Sequence, residues 1–303
     1  MPHGDALAPG SHSISINGIE QRYHIAGQGP LCIAHPGGPG VDWSYLKMPL
    51  VERHLTMLYI EPIGTGASGR LPEHPKGYGV ERYSQQLEGF VDALGLSGFF
   101  LLGHSHGGFV VQQYAIAHPD HVAGLIVYDS SAVTGPDFMK EASENIAAFA
   151  QREAGSPEAE EVTQTWASIP RIASDEDYTQ GLRRLLPAYF ADHRRAGLAF
   201  DQLRSAFRAT FVVGDGKPFD VRDALPKLRR PSLILVGAHD FICGPRWAAI
   251  LQAALPTSQL VSFARSGHMA HIEEPEAFTL AIANFVASIG ASGSRHQGGT
   301  GGS

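Results

Sequence analysis

The pentapeptide Gly103-His104-Ser105-His106-Gly107 constrains the fold of this chain more than any other feature. An apolar run, Phe99 to Leu102, leads into it, and a helical segment from Gly107 to Ala117, closed by His118-Pro119, leads away. The chain must therefore pass from buried strand to helix within a few residues. So sharp a turn forces its central residue into strained φ/ψ, and glycine at 103 and 107 removes the side chains that would collide across it. Alone, G-x-S-x-G is a weak pattern in a glycine-rich chain; the strand before it and the helix after it give it meaning. In that context Ser105 Oγ stands exposed at the C-terminal edge of a sheet. The helix N-terminus beneath it favours developing negative charge. Ser105 reads as a nucleophile rather than as a helix cap.

A hydroxyl at neutral pH needs a base, and the base needs an orienting carboxylate. On a strand–turn–helix nucleophile the chain order is serine, acid, histidine. The strand-like run Leu233 to Val236 ends in Gly237-Ala238-His239-Asp240, and Leu260 to Phe263 is followed by Ser266-Gly267-His268. Asp240 and His268 thus fall after successive strands, in the required order. His271 is the rival base; His268 is preferred because Gly267 precedes it. Asp129, after the strand Leu125 to Tyr128, is the rival acid. His239 reads as a loop residue that orients Asp240. His104 and His106 are expected to project away from the serine, and no metal-ligand spacing ties them to carboxylates.

The rest of the chain supplies a sheet for these residues. Residues 13–17 and 20–25 alternate around Asn17-Gly18, a hairpin signal. Apolar runs at Leu31 to Ala34 and Leu55 to Ile60 are followed by an amphipathic helix over 80–94, stopped by Gly95. After Leu228 strand and helix alternate again: helix 245–254, strand 259–263, helix 275–289. Between Val133 and about Leu228 the texture is helical and rich in Ala, Glu, Gln and Arg. Alternating strands and helices on both sides of a helical block predict an α/β fold, a parallel sheet with one insertion. The 35 glycines and 20 prolines of the 303 residues fit many tight turns rather than disorder, because 43% of the chain is hydrophobic. A formal net charge of −7 without a basic face gives no support to a nucleic-acid or membrane partner. Cys32 and Cys243 form no framework and no C-x-x-C pair, and no segment resembles a leader or a membrane span. A cytoplasmic protein acting on a small-molecule substrate is the expectation, with the oligomeric state open.

Acyl chemistry also needs two backbone N–H donors for the tetrahedral oxygen. One belongs to the residue after the nucleophile, His106. The other is expected from Pro36-Gly37-Gly38-Pro39-Gly40, after the strand Leu31 to Ala34, with Gly38 the first choice and Gly37 the second. Gly64-Thr65-Gly66-Ala67-Ser68-Gly69 matches G-x-G-x-x-G after a strand, but Arg70-Leu71-Pro72-Glu73-His74-Pro75 follows. No helix opens there to hold a pyrophosphate, so a dinucleotide site is rejected.

On these motifs the sequence resembles the α/β-hydrolase superfamily over roughly residues 13–290. Pro36 to Gly40 is similar to the H-G-G-P-G loop of its proline iminopeptidase-like branch (peptidase family S33), with Pro36 where that branch has His. Glu61 to Ser68 is similar to its D-x-R-G-x-G-x-S segment, but Glu61 and Ile63 replace the Asp and Arg, so that ion pair is expected to be absent. The elbow has the G-H-S-x-G form common in esterases rather than G-G-S-W-G. The resemblance implies an α/β-hydrolase fold: an eight-stranded, mostly parallel sheet flanked by helices, with a helical cap inserted after the sixth strand, no cofactor, and a Ser/His/Asp triad. The expected organisation is residues 1–130 and 229–290 as core, 131–228 as cap, and 291–303 as a Gly/Ser-rich disordered tail or linker.

The cap should choose the substrate. Its acids Glu141, Glu144, Glu153, Glu158, Glu160 and Glu161 are matched by arginines, a pattern usual for a solvated face. Phe138, Phe149, Trp166, Tyr178, Tyr189, Phe190, Phe200, Phe207 and Phe211 are candidates for lining an apolar pocket or filling the cap's own core. The function expected is cleavage of a small, fairly apolar ester or lactone by Ser105, Asp240 and His268, with Gly38 and His106 as the oxyanion hole and no metal or cofactor. The alternatives are a proline iminopeptidase or amidase using the same triad, a lyase or acyltransferase, and a non-catalytic binding protein.

Overall fold

A hairpin opens the fold, β1 (Gly10–Ile16) and β2 (Ile19–Gly27). Asn17 and Gly18 turn it with φ +52° and +81°, the left-handed pair that matches the twist of the flanking strands. The structure, a computed structural model, describes residues 6–295. β3 (Leu31–His35), β4 (Thr56–Glu61), β5 (Phe99–His104), β6 (Val122–Tyr128), β7 (Ser232–Gly237) and β8 (Ser258–Phe263) follow. They form one eight-stranded sheet in the order β1-β2-β4-β3-β5-β6-β7-β8. β1 and β2 run antiparallel to their neighbours, and every pairing from β4 to β8 is parallel. Strands covered on both faces lose the alternation of a half-buried strand, and β5 and β7 are buried at every position.

Helices cover the two faces. α1 (Val80–Leu94), α2 (His106–Ala117) and α8 (Pro245–Ala254) pack Phe90, Val110, Tyr114 and Leu251 against Ile33, Leu101, Val127 and Ile234. α10 (Pro275–Arg295) puts Phe278, Ile282 and Phe285 on the opposite face, against Phe100, Leu102, Ile126 and Leu233. α1 spans the residues its spacing predicts, and Gly95 ends it in the left-handed conformation. α10 runs on to Arg295, so 291–295 continue a helix rather than begin a tail; the rest of that expected tail, 296–303, lies outside the described residues. No helix among the described residues is long and apolar enough to cross a membrane.

Between β6 and β7 the chain forms α3 (Pro136–Arg152), α4 (Pro157–Ser168), α5 (Asp175–Leu185), α6 (His193–Ala196) and α7 (Leu198–Ala206). The helical texture ends at Ala206. From there to Ala224 the chain runs without helix, touching the core through the bridges Val41–Ala209 and Val133–Asp220. The insertion lies over the strand ends. The Tyr178 hydroxyl donates to Pro39 O at 2.9 Å, Thr210 N to Gly40 O at 2.8 Å, and His268 N to Tyr189 O at 2.7 Å.

Candidate active site

Ser105 sits between β5 and α2 at φ +53° and ψ −123°, a conformation non-glycine residues rarely hold. The turn that imposes it is tight. A Cβ on Gly103 would meet Gly107 O, and one on Gly107 would meet the carbonyls of His35 and Pro36. The Ser105 N–H donates to Tyr128 O at 3.0 Å and Ser130 Oγ donates to Ser105 O at 2.8 Å, tying the strained residue to β6 and the loop after it. As first residue of α2, His106 has an N–H with no intrahelical acceptor, and none is found elsewhere among the described residues.

His268 follows β8 and Asp240 follows β7. His268 Nδ1 donates to Asp240 Oδ2 at 2.7 Å, and both side chains are almost fully buried. The N–H groups of Ile242 and Cys243 donate to Asp240 Oδ1 at 2.9 and 3.1 Å, which fixes the carboxylate's plane. With Nδ1 committed, Nε2 is the ring atom left to exchange a proton. Ser105 and His268 line one cavity of about 90 Å³ together with Gly37, Gly38, Tyr45, His104 and a collar of Val41, Tyr178, Leu182, Leu186, Tyr189, Phe207, Ile242 and Met269. No carboxylate, ammonium or guanidinium is among the lining groups. Larger clefts of about 950 and 290 Å³ open elsewhere, along α4 and beside His239.

The two glycines expected to supply an amide behave differently. Gly37 N–H donates to the Tyr45 hydroxyl at 2.7 Å, so it is spent. Gly38, at φ +128°, has an N–H without a partner among the described residues and borders the cavity. A Cβ on Gly37 would stand 2.9 Å from Ser105 Cβ, so only bare backbone brings this loop so near the serine.

The rivals are placed elsewhere. His271 is buried, accepting from the Tyr128 hydroxyl through Nδ1 and donating from Nε2 to Tyr45 O, each at 2.9 Å. Burial pushes its imidazole down to about 4, so it stays neutral. Asp129 is fully buried and accepts from Gly237 N at 2.8 Å. His239 does not orient Asp240: it is exposed and donates to Ala264 O at 3.2 Å, drawn outward by a free carbonyl at the end of β8.

His104 also departs from expectation. β5 extends through it, and the alternation of the strand that buries Leu102 puts the His104 ring on the same face, against His268 with centroids 4.5 Å apart. The Tyr45 hydroxyl donates to His104 Nδ1 at 2.6 Å, and Nε2 donates to His268 O at 3.0 Å. A chain of hydrogen bonds thus runs from Gly37 through Tyr45 and His104 to the backbone of His268. Burial first, then the neighbouring His268 and His271, hold His104 neutral, well below the usual imidazole range. His106 does turn away, its ring edge-on to Tyr83 and Phe109, and burial pushes its pKa down to about 3.

Tyr45 and Glu273 carried no signal in the sequence. Glu273 Oε1 accepts from Ala191 N at 2.8 Å and Oε2 from Gly267 N at 2.7 Å, clamping the insertion to the His268 loop. Burial raises its carboxyl to about 7 against those two bonds. Of the aromatics named from the sequence, Tyr178, Tyr189 and Phe207 line the cavity, whereas Phe138 packs on Trp247 and Phe149 in a small core that the insertion shares with Phe241. The acids of the insertion form ion pairs at its surface, as in Glu153–Arg194 at 2.6 Å, Glu161–Arg204 at 2.9 Å and Glu141–Arg246 at 2.6 Å. In the second glycine loop the Asp–Arg pair of the iminopeptidase-like segment is absent, and Glu61 Oε2 instead hydrogen-bonds His24 Nε2 at 3.0 Å.

The family model for the alpha/beta hydrolase fold matches residues 30–275. The chain is 29% identical over 282 residues to a 2-hydroxy-6-oxo-2,4-heptadienoate hydrolase of Pseudomonas putida, covering 91% of this chain and 95% of that one. It is 26% identical over 294 residues to a proline iminopeptidase of Saccharolobus solfataricus, covering 90% of each. Among solved structures, the proline iminopeptidase of Mycobacterium smegmatis superposes with a TM-score of 0.70 at 19% identity, over 93% of this chain and 99% of that one. At that identity the likeness speaks for the fold alone.

Proposed function

The chain belongs to the alpha/beta hydrolase fold family, and from that premise we propose that it is a serine hydrolase of small, neutral, largely apolar carboxylic esters or lactones. The observation that carries the reading is the cavity itself: Ser105 and the His268–Asp240 pair open onto one small, aromatic and uncharged space. Ser105 Oγ attacks the substrate carbonyl while His268 Nε2 takes its proton, and Asp240 stabilises the imidazolium that results. The unpaired N–H groups of Gly38 and His106 receive the oxyanion. Collapse of the tetrahedral species expels the alkoxide, which takes the proton back from His268. Water then repeats the sequence on the acyl-enzyme.

The same cavity separates this reading from those suggested by the relatives. A dienoate, as named for the Pseudomonas enzyme, is a carboxylate and would call for a cation, which the lining does not hold. A free N-terminal amine, as on an iminopeptidase substrate, would call for an unpaired carboxylate. No acid is among the groups that line this cavity, Glu141, Glu153 and Glu161 of the insertion pair with arginines at the surface, and Asp240 is committed to His268.

The test is a panel of p-nitrophenyl esters, lactones and prolyl anilides on wild type and Ser105→Ala, with a fluorophosphonate probe. Short acyl esters or lactones should be the best substrates, and the probe should label Ser105 stoichiometrically. Ser105→Ala should lose about 10³-fold or more in kcat/KM with its fold intact. Full activity in that variant would sink the mechanism, and faster turnover of prolyl anilides would sink the substrate class.

A further inference from the structure

A second buried carboxyl stands beside the site, and the proposed reaction does not use it. Asp129 follows β6, is 0% exposed, and holds φ +42°, a left-handed conformation uncommon in non-glycine residues. One of its oxygens lies within 4.8 Å of a ring nitrogen of His268 and of His104. Oδ1 accepts from Gly237 N at 2.8 Å, while Oδ2 is buried without a donor among the described residues. Neither ring supplies one, because His268 Nδ1–H already goes to Asp240 and His104 Nε2–H to the His268 carbonyl.

An ionised Asp129 would be a second negative charge in a fully buried place beside Asp240, with one oxygen unpaired. Both conditions are strongly unfavourable. A proton on Oδ2 removes both at once, and turns an orphaned acceptor into a donor whose facing acceptor is the Asp240 carboxylate. We propose that Asp129 is a positioning residue that keeps its proton at neutral pH and donates a hydrogen bond to Asp240, steadying the carboxylate that orients His268. The surroundings agree. Burial and then the Asp240 charge hold the Asp129 carboxyl well above the usual carboxylate range, and Glu273 of α9 (Ala270–Glu273) adds to the effect. The other titratable groups facing it, Tyr128, Cys243, His104 and His268, include no Lys or Arg to favour the ionised form. Two carboxyls with their protonation pushed apart by environment are a known way to divide roles within one site.

This inference rests on the triad reading, so its first test avoids turnover. The infrared difference spectrum of resting wild type minus Asp129→Asn at pH 7 should contain a protonated-carboxyl C=O band belonging to Asp129. Absence of that band overturns the proposal, whatever the activity. In kinetics, Asp129→Ala should lower kcat/KM about 30-fold, the loss of a hydrogen bond to a charged group. Asp129→Asn, whose amide N–H can donate to Asp240, should recover most of that loss, whereas Asp240→Asn should not. If Asp129→Asn is as damaging as Asp240→Asn, Asp129 acts as an ionised base partner and the proposal is wrong. Failure of the triad reading would appear separately, in Ser105→Ala, and would leave the infrared result standing.

Discussion

Two glycine-rich loops, 36–40 and 64–69, leave neighbouring parallel strands on the same edge of the sheet, yet their backbones face opposite fates. In 64–69 the N–H groups of Gly64, Thr65, Ala67, Ser68 and Gly69 are all taken, by the loop itself, by Glu20 and by the Glu61 carboxylate. A Cβ on Gly66 would strike that carboxylate. The loop is wrapped around its own anion, and five of its six N–H groups are spent on the protein. In 36–40, Gly37 is held by Tyr45 while the Gly38 amide is left open toward the cavity. Glycine serves both loops by allowing close approach; what differs is whether the protein or the substrate supplies the acceptor.

That contrast predicts a large, purely local effect at Gly38. A Cβ there would stand 2.7 Å from Gly40 N and 2.9 Å from Val41 N, and φ +128° strains any side chain. Gly38→Ala should displace the open amide and lower kcat about 10²–10³-fold, the usual size for a lost oxyanion donor. KM should change much less, because the donor acts on the transition state. An Ala variant that loses stability but keeps kcat would show that the two loops do not differ in function.

A smaller effect, of a different kind, is expected at Glu61. Its carboxylate accepts from Ala67 and Ser68 and pairs with His24, which itself stacks on Trp43 at 3.8 Å. Glu61→Gln should cost about 2 kcal/mol, since hydrogen bonds to a charged acceptor are lost or weakened. Burial raises the Glu61 pKa, but the bonds from His24 and the loop amides outweigh it, and the net value lies below 4.5. A depressed carboxylate stabilises the fold above its unfolded pKa, and that contribution is lost as pH falls through the folded value. Unfolding midpoints of wild type and Glu61→Gln should therefore converge below about pH 4 and separate above it. A gap that widened in acid would contradict the assignment.

The same contrast marks what the sequence could disclose. Strand, pentapeptide and helix are contiguous, so the Ser105 turn is written in local pattern. Asp240 and His268 were singled out because each follows a recognisable strand, and their side chains meet in the structure. The alternation of elements likewise foretold a parallel sheet with a helical insertion, whereas its eight strands were implied by the family resemblance. Tyr45, Glu273 and the inward turn of His104 depend on partners far away in the chain: Tyr45 is 59 residues from His104, and His104 is 164 from His268. Reading β5 as ending at Leu102 left His104 in a loop, whereas two more residues of strand commit its ring to the site face. His239 failed for the opposite reason, since adjacency to Asp240 in sequence placed its side chain on the far side of the turn.

The smallest effect probes the closed loop where it meets the sheet. Ser68 Oγ donates to Glu61 O at 2.6 Å and accepts from Arg22 N at 2.9 Å, stitching the loop to β2. Removing the hydroxyl leaves the Arg22 N–H without its acceptor, a loss of about 1 kcal/mol, the usual size for one neutral hydrogen bond. Ser68→Ala should lower the denaturant midpoint at unchanged slope, with kcat and KM both kept, since no atom of this loop lines the cavity. A fall in kcat would mean that the closed loop communicates with the open one, whose strand, β3, pairs directly with β4. The sheet would then be transmitting the disturbance, and the separation drawn between the loops would be one of degree.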